Sequence, residues 1–330
     1  MIRIILILCL SLMLSACSTH QSKGYVKRID NRVQIKDNSQ LFVKVPTGTA
    51  IFIGKAAPNS GDIGHPSMLY PAITPIDFFA AVITHAAIAE SIKNDKKNRA
   101  QDVADKVVIP YRTFIKDLVN QALITQLSDI AFSKGFQLKH YKDSQSDKDI
   151  VLDITPIYLL SQNQDTLTLR TQFIAYYKKN ENITLKKRPV LYQNQIEILS
   201  PKIHTEDPTE YWLSNNGEKL LETMRSLLSN TLKLGAIEIG SNKIIKKGND
   251  QNFRYDDGDI VAFERARIIQ EDCEQVIIRT LRGWLKSIPR ERLKGQHPCN
   301  INQKPKIDLS VTDKPFPDPI TSVSTTDRTI

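Results

Sequence analysis

Three β-like runs joined by very short spacers constrain this chain more than any other feature. Residues 149–160, 166–178 and 190–199 are rich in Ile, Leu, Val, Thr and Tyr, the side chains that suit a pleated, half-buried surface. Asn163-Gln164-Asp165 and Lys179-Asn180-Glu181-Asn182 stand between them. Parallel neighbours need a crossover of about a dozen residues or more, so these spacers predict an antiparallel meander. Apolar spacing predicts a helix on either side. From Pro110 to Lys134, Phe114, Ile115, Leu118, Val119, Ala122, Leu123, Leu127 and Ile130 mark one face, with Gly135 as the stop. From Asn216 to Leu232, Leu220, Leu221, Met224, Leu227, Leu228 and Thr231 point inward, and Gly235 ends the helix. Thr74-Pro75 opens a further helix, with Thr as N-cap and Pro in the first turn. Leu41–Val45 and Thr49–Gly54 read as strands joined by a hairpin at Pro46–Gly48.

The expected fold class is therefore α+β, an antiparallel sheet of three to five strands packed by two or three helices over residues 25–240. The order helix, strands, helix is similar in outline to small α/β domains of periplasmic lipoproteins, such as the curli-secretion lipoprotein and the activators of penicillin-binding proteins. A C-terminal module at 241–300 follows, and a tail at 301–330 whose Lys, Pro, Asp, Ser and Thr predict disorder. Phe253–Phe263 reads as a hairpin about Asp257-Gly258. Glu264–Ile288 carries apolar residues at helical intervals, but Val276-Ile277-Ile278 and Gly283 suit a kinked strand. The reach needed between Cys273 and Cys299 favours the helix, since a straight strand would travel about 50 Å before the chain turned back.

The N-terminus sets the compartment. Arg3 precedes an apolar run, Ile4–Leu14, and then Ser15-Ala16-Cys17. A charged start, a short apolar core and a small-residue cleavage site define an export signal. The run is too short to span a hydrocarbon core of roughly 30 Å at about 1.5 Å per helical residue. Leu14-Ser15-Ala16-Cys17 resembles the lipobox of bacterial lipoproteins. That resemblance implies a signal peptide at 1–16, acyl chains on Cys17 and a short tether over 17–24. Ser18, not an aspartate, follows the cysteine, which by the same resemblance implies the outer membrane, periplasmic face.

Charge and cysteines then acquire meaning. The formal charge is +9, and +8 once Arg3 is lost with the signal. Such a protein is drawn to anionic lipid, lipopolysaccharide or acidic glycan, and an exported chain has no call on nucleic acid. Cys9 leaves with the signal and Cys17 is taken by lipid; Cys273 and Cys299 remain, an even pair in an oxidising compartment, which predicts a disulfide closing the C-terminal module. Residues 250–274 hold eight acids against three bases, and 275–306 hold eight bases against Glu291. Arg279, Arg282, Lys286, Arg290, Arg292 and Lys294, with Trp284 among them, make a candidate surface for an anionic partner, unless the two blocks lie side by side and neutralise each other.

Motif chemistry is sparse. The sequence has no Gly-x-Ser-x-Gly, His-Glu-x-x-His, glycine-rich phosphate loop or Cys-x-x-Cys, and none of its six histidines stands at ligand spacing from another. No catalytic residue, metal or cofactor is expected. The expected function is non-catalytic: an outer-membrane lipoprotein binding or scaffolding in an envelope assembly, secretion or transport complex, with an envelope protein partner. The alternatives are an envelope hydrolase acting on glycan or lipid, or a peptidoglycan- or lipopolysaccharide-binding module using the basic segment.

Overall fold

The computed structural model describes residues 26–31, 35, 40–56, 98–124, 137–184, 187–240 and 249–295. Cys17, the helix expected from Thr74, Cys299 and the tail lie outside them. In chain order the strands are β1 (Ile29–Asp30), β2 (Gln40–Lys44), β3 (Ile51–Gly54), β4 (Gln137–His140), β5 (Ile150–Leu160), β6 (Leu167–Tyr177), β7 (Tyr192–Leu199), β8 (Gln251–Asp257), β9 (Ile260–Glu271), β10 (Gln275–Thr280) and β11 (Leu285–Pro289).

Alternation along the three β-like runs sorts the two faces of the sheet. β5 buries Leu152, Ile154, Tyr158 and Leu160 on one side and turns Asp153 and Thr155 to the other. β6 buries Leu167, Leu169, Phe173 and Ala175 against the same core, with Arg170 and Gln172 opposite. β7 repeats the pattern with Tyr192, Ile196 and Ile198 against Gln195 and Glu197. Successive side chains of a strand point to opposite faces, so one face is apolar and the other polar. β5, β6 and β7 pair antiparallel, as the short spacers require.

Beyond that meander the expected fold class is wrong. Eleven strands, not three to five, share one sheet, in the order β4-β2-β5-β6-β7-β11-β10-β9-β8, with β1 on β7 and β3 on β5. The sheet is mixed. β2 and β3 both run parallel to β5, at Ile150–Asp153 and Ile157–Leu160, and β4 runs parallel to β2. Pro46–Gly48 therefore turns no hairpin. The chain takes seven steps from Lys44 to Ile51 where β5 takes four from Asp153 to Ile157, and the extra residues loop out.

That loop explains why Pro110–Lys134 is not one helix. Ala50 N–H donates to Leu118 O at 2.8 Å, and Asn120 N–H donates to Gly48 O at 3.0 Å. Residues 118–120 leave the helical path to satisfy these groups. The described residues hold a 3₁₀ segment at Asp105–Tyr111, one α-turn at Arg112–Ile115 and a short helix at Asn120–Ile124, and 125–134 lie outside them. Apolar spacing still marks burial, at Ile115 and Leu123, but tertiary hydrogen bonds override continuity.

The apolar face is covered by a long helix, Pro208–Gly240, lying over β6 and β7 and kinked where Ser214–Gly217 leave helical geometry. Gly235 does not end it. A Cβ there would lie 2.5 Å from Phe173 Cε1, so the missing side chain is what lets the helix approach the sheet. Trp212 Nε1–H donates to Gln164 O at 2.7 Å and the Tyr158 hydroxyl to Met224 O at 3.2 Å, fixing the helix on either side of its kink.

No separate C-terminal module follows. β8 to β11 form an antiparallel meander, and β11 joins β7 in parallel, so these residues extend the same sheet. Strand pairing closes this region. Cys273, in the β9–β10 turn, is the one cysteine among the described residues, and Cys299, its expected disulfide partner, lies outside them. Glu264–Ile288 is strand throughout its ordered pairs, not helix. Gly283, at φ +85°, turns the run back so that Val276 faces Ile288, which removes the reach problem that favoured a helix. The Asp257-Gly258 hairpin is as expected. The meander rolls over the polar face: a Cβ on Gly258 would meet Ser161 Cβ at 2.4 Å, and Tyr255 bridges to Leu293. Phe253, Tyr255, Ile278, Ile288 and Leu199 form a second core inside the roll.

Gly235→Val drives two methyl groups into Phe173, and overpacking of this kind costs about 2–3 kcal/mol. Urea unfolding should show a lower midpoint with an unchanged slope, and Phe173→Leu in the same chain should return part of the loss.

Candidate functional site

The structure disperses the six basic residues expected to form one surface. Arg279 makes a two-pronged ion pair with Glu238, Nη1 to Oε1 at 2.9 Å and Nη2 to Oε2 at 2.7 Å. Lys286 Nζ lies 3.0 Å from Glu264, 3.3 Å from Glu197 and 3.0 Å from the Tyr255 hydroxyl. Arg290 pairs with Glu271 at 2.9 Å and donates to Asp272 O; Lys294 pairs with Asp256 at 2.6 Å. Arg292 is 1% exposed, donates Nε–H to Ser200 O at 2.9 Å, and keeps both Nη atoms buried without a hydrogen-bond partner. Burial pulls its pKa below the ordinary arginine value. Arg282 is exposed and lies over the Trp284 ring at 5.1 Å. The acidic block on β8–β9 lies beside the basic block on β10–β11, and they meet in ion pairs.

The most concentrated polar arrangement is a row across the sheet that sequence reasoning missed. Strand register places Arg170 of β6 beside Glu197 of β7, and Glu197 beside Lys286 of β11. Arg170 Nε–H donates to Glu197 Oε2 at 2.9 Å. Around this row stand Glu264 and Tyr255, and Lys55 pairs with Asp257 at the tip of the β8–β9 hairpin. Burial alone would raise the Glu197 carboxyl; Lys286, Arg170 and Lys55 together hold it well below the ordinary range. Burial would lower Lys286, but Glu197 and its neighbours hold it well above its usual value. Tyr255 is pushed up to about 12, chiefly by burial. Every charge here has an opposite charge against it, so the row is a fixed ionic seam. The signal that could have found it is a glutamate inside an otherwise apolar run, Ile196-Glu197-Ile198.

A second polar cluster occupies the same face near the start of β5. Glu181 accepts from the Tyr141 hydroxyl and pairs with Lys44, and Arg188 lies over the Tyr176 ring at 4.2 Å. The environments of its carboxyls diverge. Burial raises Asp153 despite Lys44 and Arg188, whereas hydrogen bonds from Lys44 and Tyr141 outweigh burial and lower Glu181. Two shallow clefts lie among the described residues, the second bordering the ionic row at Glu264. One, of about 360 Å³, lies between Phe52, Val108 and Arg112; the other, of about 340 Å³, between Arg265, Leu281 and Trp284. Among the described residues no group of three or more His, Cys, Asp or Glu is placed to hold a metal.

No family model and no curated protein matches the chain. A crystal structure of an uncharacterized protein aligns over 61% of this chain and 93% of that one, at 8% identity and a TM-score of 0.20. A likeness that weak carries no argument about fold or function.

The seam makes stability depend on pH with a definite sign. The folded pKa of Glu197 lies below its unfolded value, near 4.5, so its contribution is complete above that pH and is lost as pH falls through the folded value. Glu197→Gln should flatten the acid limb of stability against pH measured by urea unfolding. At neutral pH Lys286→Met, which leaves the carboxylate buried beside one cation fewer, should cost about 3 kcal/mol, and adding Glu197→Leu should recover much of it.

Proposed function

We propose that this chain is a bacterial lipoprotein held by acyl chains on Cys17 at the periplasmic face of the outer membrane. Its body binds or scaffolds partners in an envelope assembly, secretion or transport complex. The observation that carries this reading is Leu14-Ser15-Ala16-Cys17 directly after an apolar run of signal length. The geometry is compatible with it: Val26 already contacts the sheet, so few residues separate the anchor from the body. Three acyl chains give firm attachment, at about 0.8 kcal/mol per buried methylene, where a single chain binds marginally. On the polar sheet face Thr155 and Gln172 are half-buried and supply donors and acceptors for a partner.

A hydrolase acting on envelope glycan or lipid is the second reading, and one observation favours it. Asp153 and Glu181 share a cluster that shifts their carboxyls in opposite directions, the split that an acid and a base require.

Cys17→Ser should accumulate an uncleaved, unacylated precursor, and efficient maturation of that variant would sink the lipoprotein reading. Affinity recovery of the acylated protein from cross-linked envelopes should bring other envelope proteins in stoichiometric amounts. A solitary protein, with glycan or phospholipid turnover that disappears in Asp153→Asn, would instead establish the hydrolase.

A further inference from the structure

The exposed apolar side chains of the C-terminal strands gather where the anchored end of the chain meets the sheet. Phe263 is 74% exposed, Leu281 65% and Val261 41%. Val261, Phe263 and Arg265 alternate along one face of β9, and Arg254 of β8, opposite Phe263 in register, lies over its ring at 5.5 Å. Arg265, Leu281, Arg282 and Trp284 line one cleft of about 340 Å³. The face is therefore a continuous strip of apolar and cationic groups. Of the neighbouring acids Asp250 pairs with Arg267, Asp256 with Lys294, and Glu264, which also lines the cleft, with Lys286; Asp259 stands in the hairpin turn two residues before Val261. Arg254 and Arg265 make no ion pair among the described residues and leave the strip positive.

The chain's N-terminal segment enters at this same place. Trp284 Nε1–H donates to Val26 O at 2.8 Å. Arg28 packs so closely on the turn that a Cβ on Gly283 would lie 2.5 Å from its Cδ, and β1 follows on β7. Nine chain steps lead from Cys17 to Val26, a span of at most about 30 Å however the segment is arranged. With Cys17 in a bilayer, the β10–β11 turn is held close to the headgroups. An exposed Phe and Leu flanked by arginines are the groups that enter a headgroup layer favourably, apolar parts inward and guanidinium groups on phosphate.

We propose that the outer face of β9 together with the β10–β11 turn, through Val261, Phe263, Arg265, Leu281 and Arg282, rests on a phospholipid surface carrying anionic headgroups. This contact rests on the reading of Cys17 as a lipid anchor, and it fixes how the body is presented. The rolled, polar side of the sheet and its far β4 edge stay available to partners.

The test reconstitutes the protein purified from membranes into vesicles of phosphatidylglycerol and phosphatidylcholine with brominated acyl chains. Bromine quenches only tryptophan near the bilayer. Trp284 lines the cleft, whereas Trp212 is 1% exposed and reports through the same spectrum that the fold is kept. Trp284 emission should be quenched, severalfold less in the Phe263→Ser, Leu281→Ser double variant and in Arg265→Glu, and less in phosphatidylcholine alone. The mass of the N-terminal peptide is read on the same sample. A Cys17 without acyl chains overturns the anchor and the distance argument together. An acylated protein whose Trp284 is unquenched, or equally quenched in the variants, overturns the membrane-resting face alone. So does a photoreactive group at position 263 that cross-links in envelopes to another protein, or to a second copy of this chain, instead of to lipid.

Discussion

Three residues of β11 hold the two halves of this molecule in one sheet. Leu285, Lys286 and Ser287 pair in parallel with Ile196, Glu197 and Ile198 of β7, and among the described residues no other strand ladder joins β8–β11 to the rest. So short a ladder is weak in itself, and it is clamped by charge on both faces. On the rolled face Lys286 meets Glu197, which Arg170 also holds. On the helix face Glu238, 3% exposed, accepts from Arg279 of β10 and from Arg28 of the N-terminal segment. One clamp ties strand to strand, and the other ties the helix and the N-terminal segment to the meander.

Charge at this joint specifies register more than it adds stability. Removing two charges from water costs several kcal/mol per ion, and their attraction roughly repays it. A short apolar ladder would tolerate a slip of two residues, because side chains of period two would still meet the correct face. A slip of one residue would carry Lys286 into the apolar core beneath the helix. With Glu197 buried in the middle of β7, a slip of one residue leaves that carboxylate with one cation fewer, held by Arg170 without Lys286. The same logic explains why burial of Glu197 does not make it neutral: Lys286, Arg170 and Lys55 outweigh the desolvation.

What could be read from the sequence was local. β5, β6 and β7 were legible because alternation and spacer length are properties of adjacent residues, and Asp257-Gly258 announced its hairpin for the same reason. The parallel partners were not, since β2, β3 and β11 lie far along the chain from the strands they pair with. One local clue pointed to them: Pro156 sits in a central strand, at the interval between Asp153 and Ile157 that neither β2 nor β3 pairs, where a missing N–H costs no ladder bond. Glu264–Ile288 misled because Val276, Ile277 and Ile278 are buried on both faces, so the period of two is lost and helical spacing survives by coincidence. Gly235 read as a helix stop because only the tertiary contact with Phe173 reveals its other use. The basic segment of the candidate surface was legible as composition. Its neutralisation was legible too, as an equal acidic block one hairpin away, but side-by-side pairing is a fact of topology.

The N-terminal segment that begins at Val26 is attached at the joint and not at an edge of the sheet. Ile29 and Asp30 pair with Gln193 and Tyr192 on β7, just before the residues that take β11, and Arg28 reaches Glu238. Val26 meets Trp284 at the turn leading into β11. An edge strand unpaired at its outer side can be peeled one hydrogen bond at a time. A segment inserted beside the joint loads β7, the long helix and the β10–β11 turn together, so displacing it means breaking a buried ion pair and a strand pairing at once. The same contacts make the N-terminal segment part of the fold, because Glu238 accepts from Arg28 as well as from Arg279. A terminal segment held at the centre of a sheet moves with the whole body, which a loose terminal arm does not.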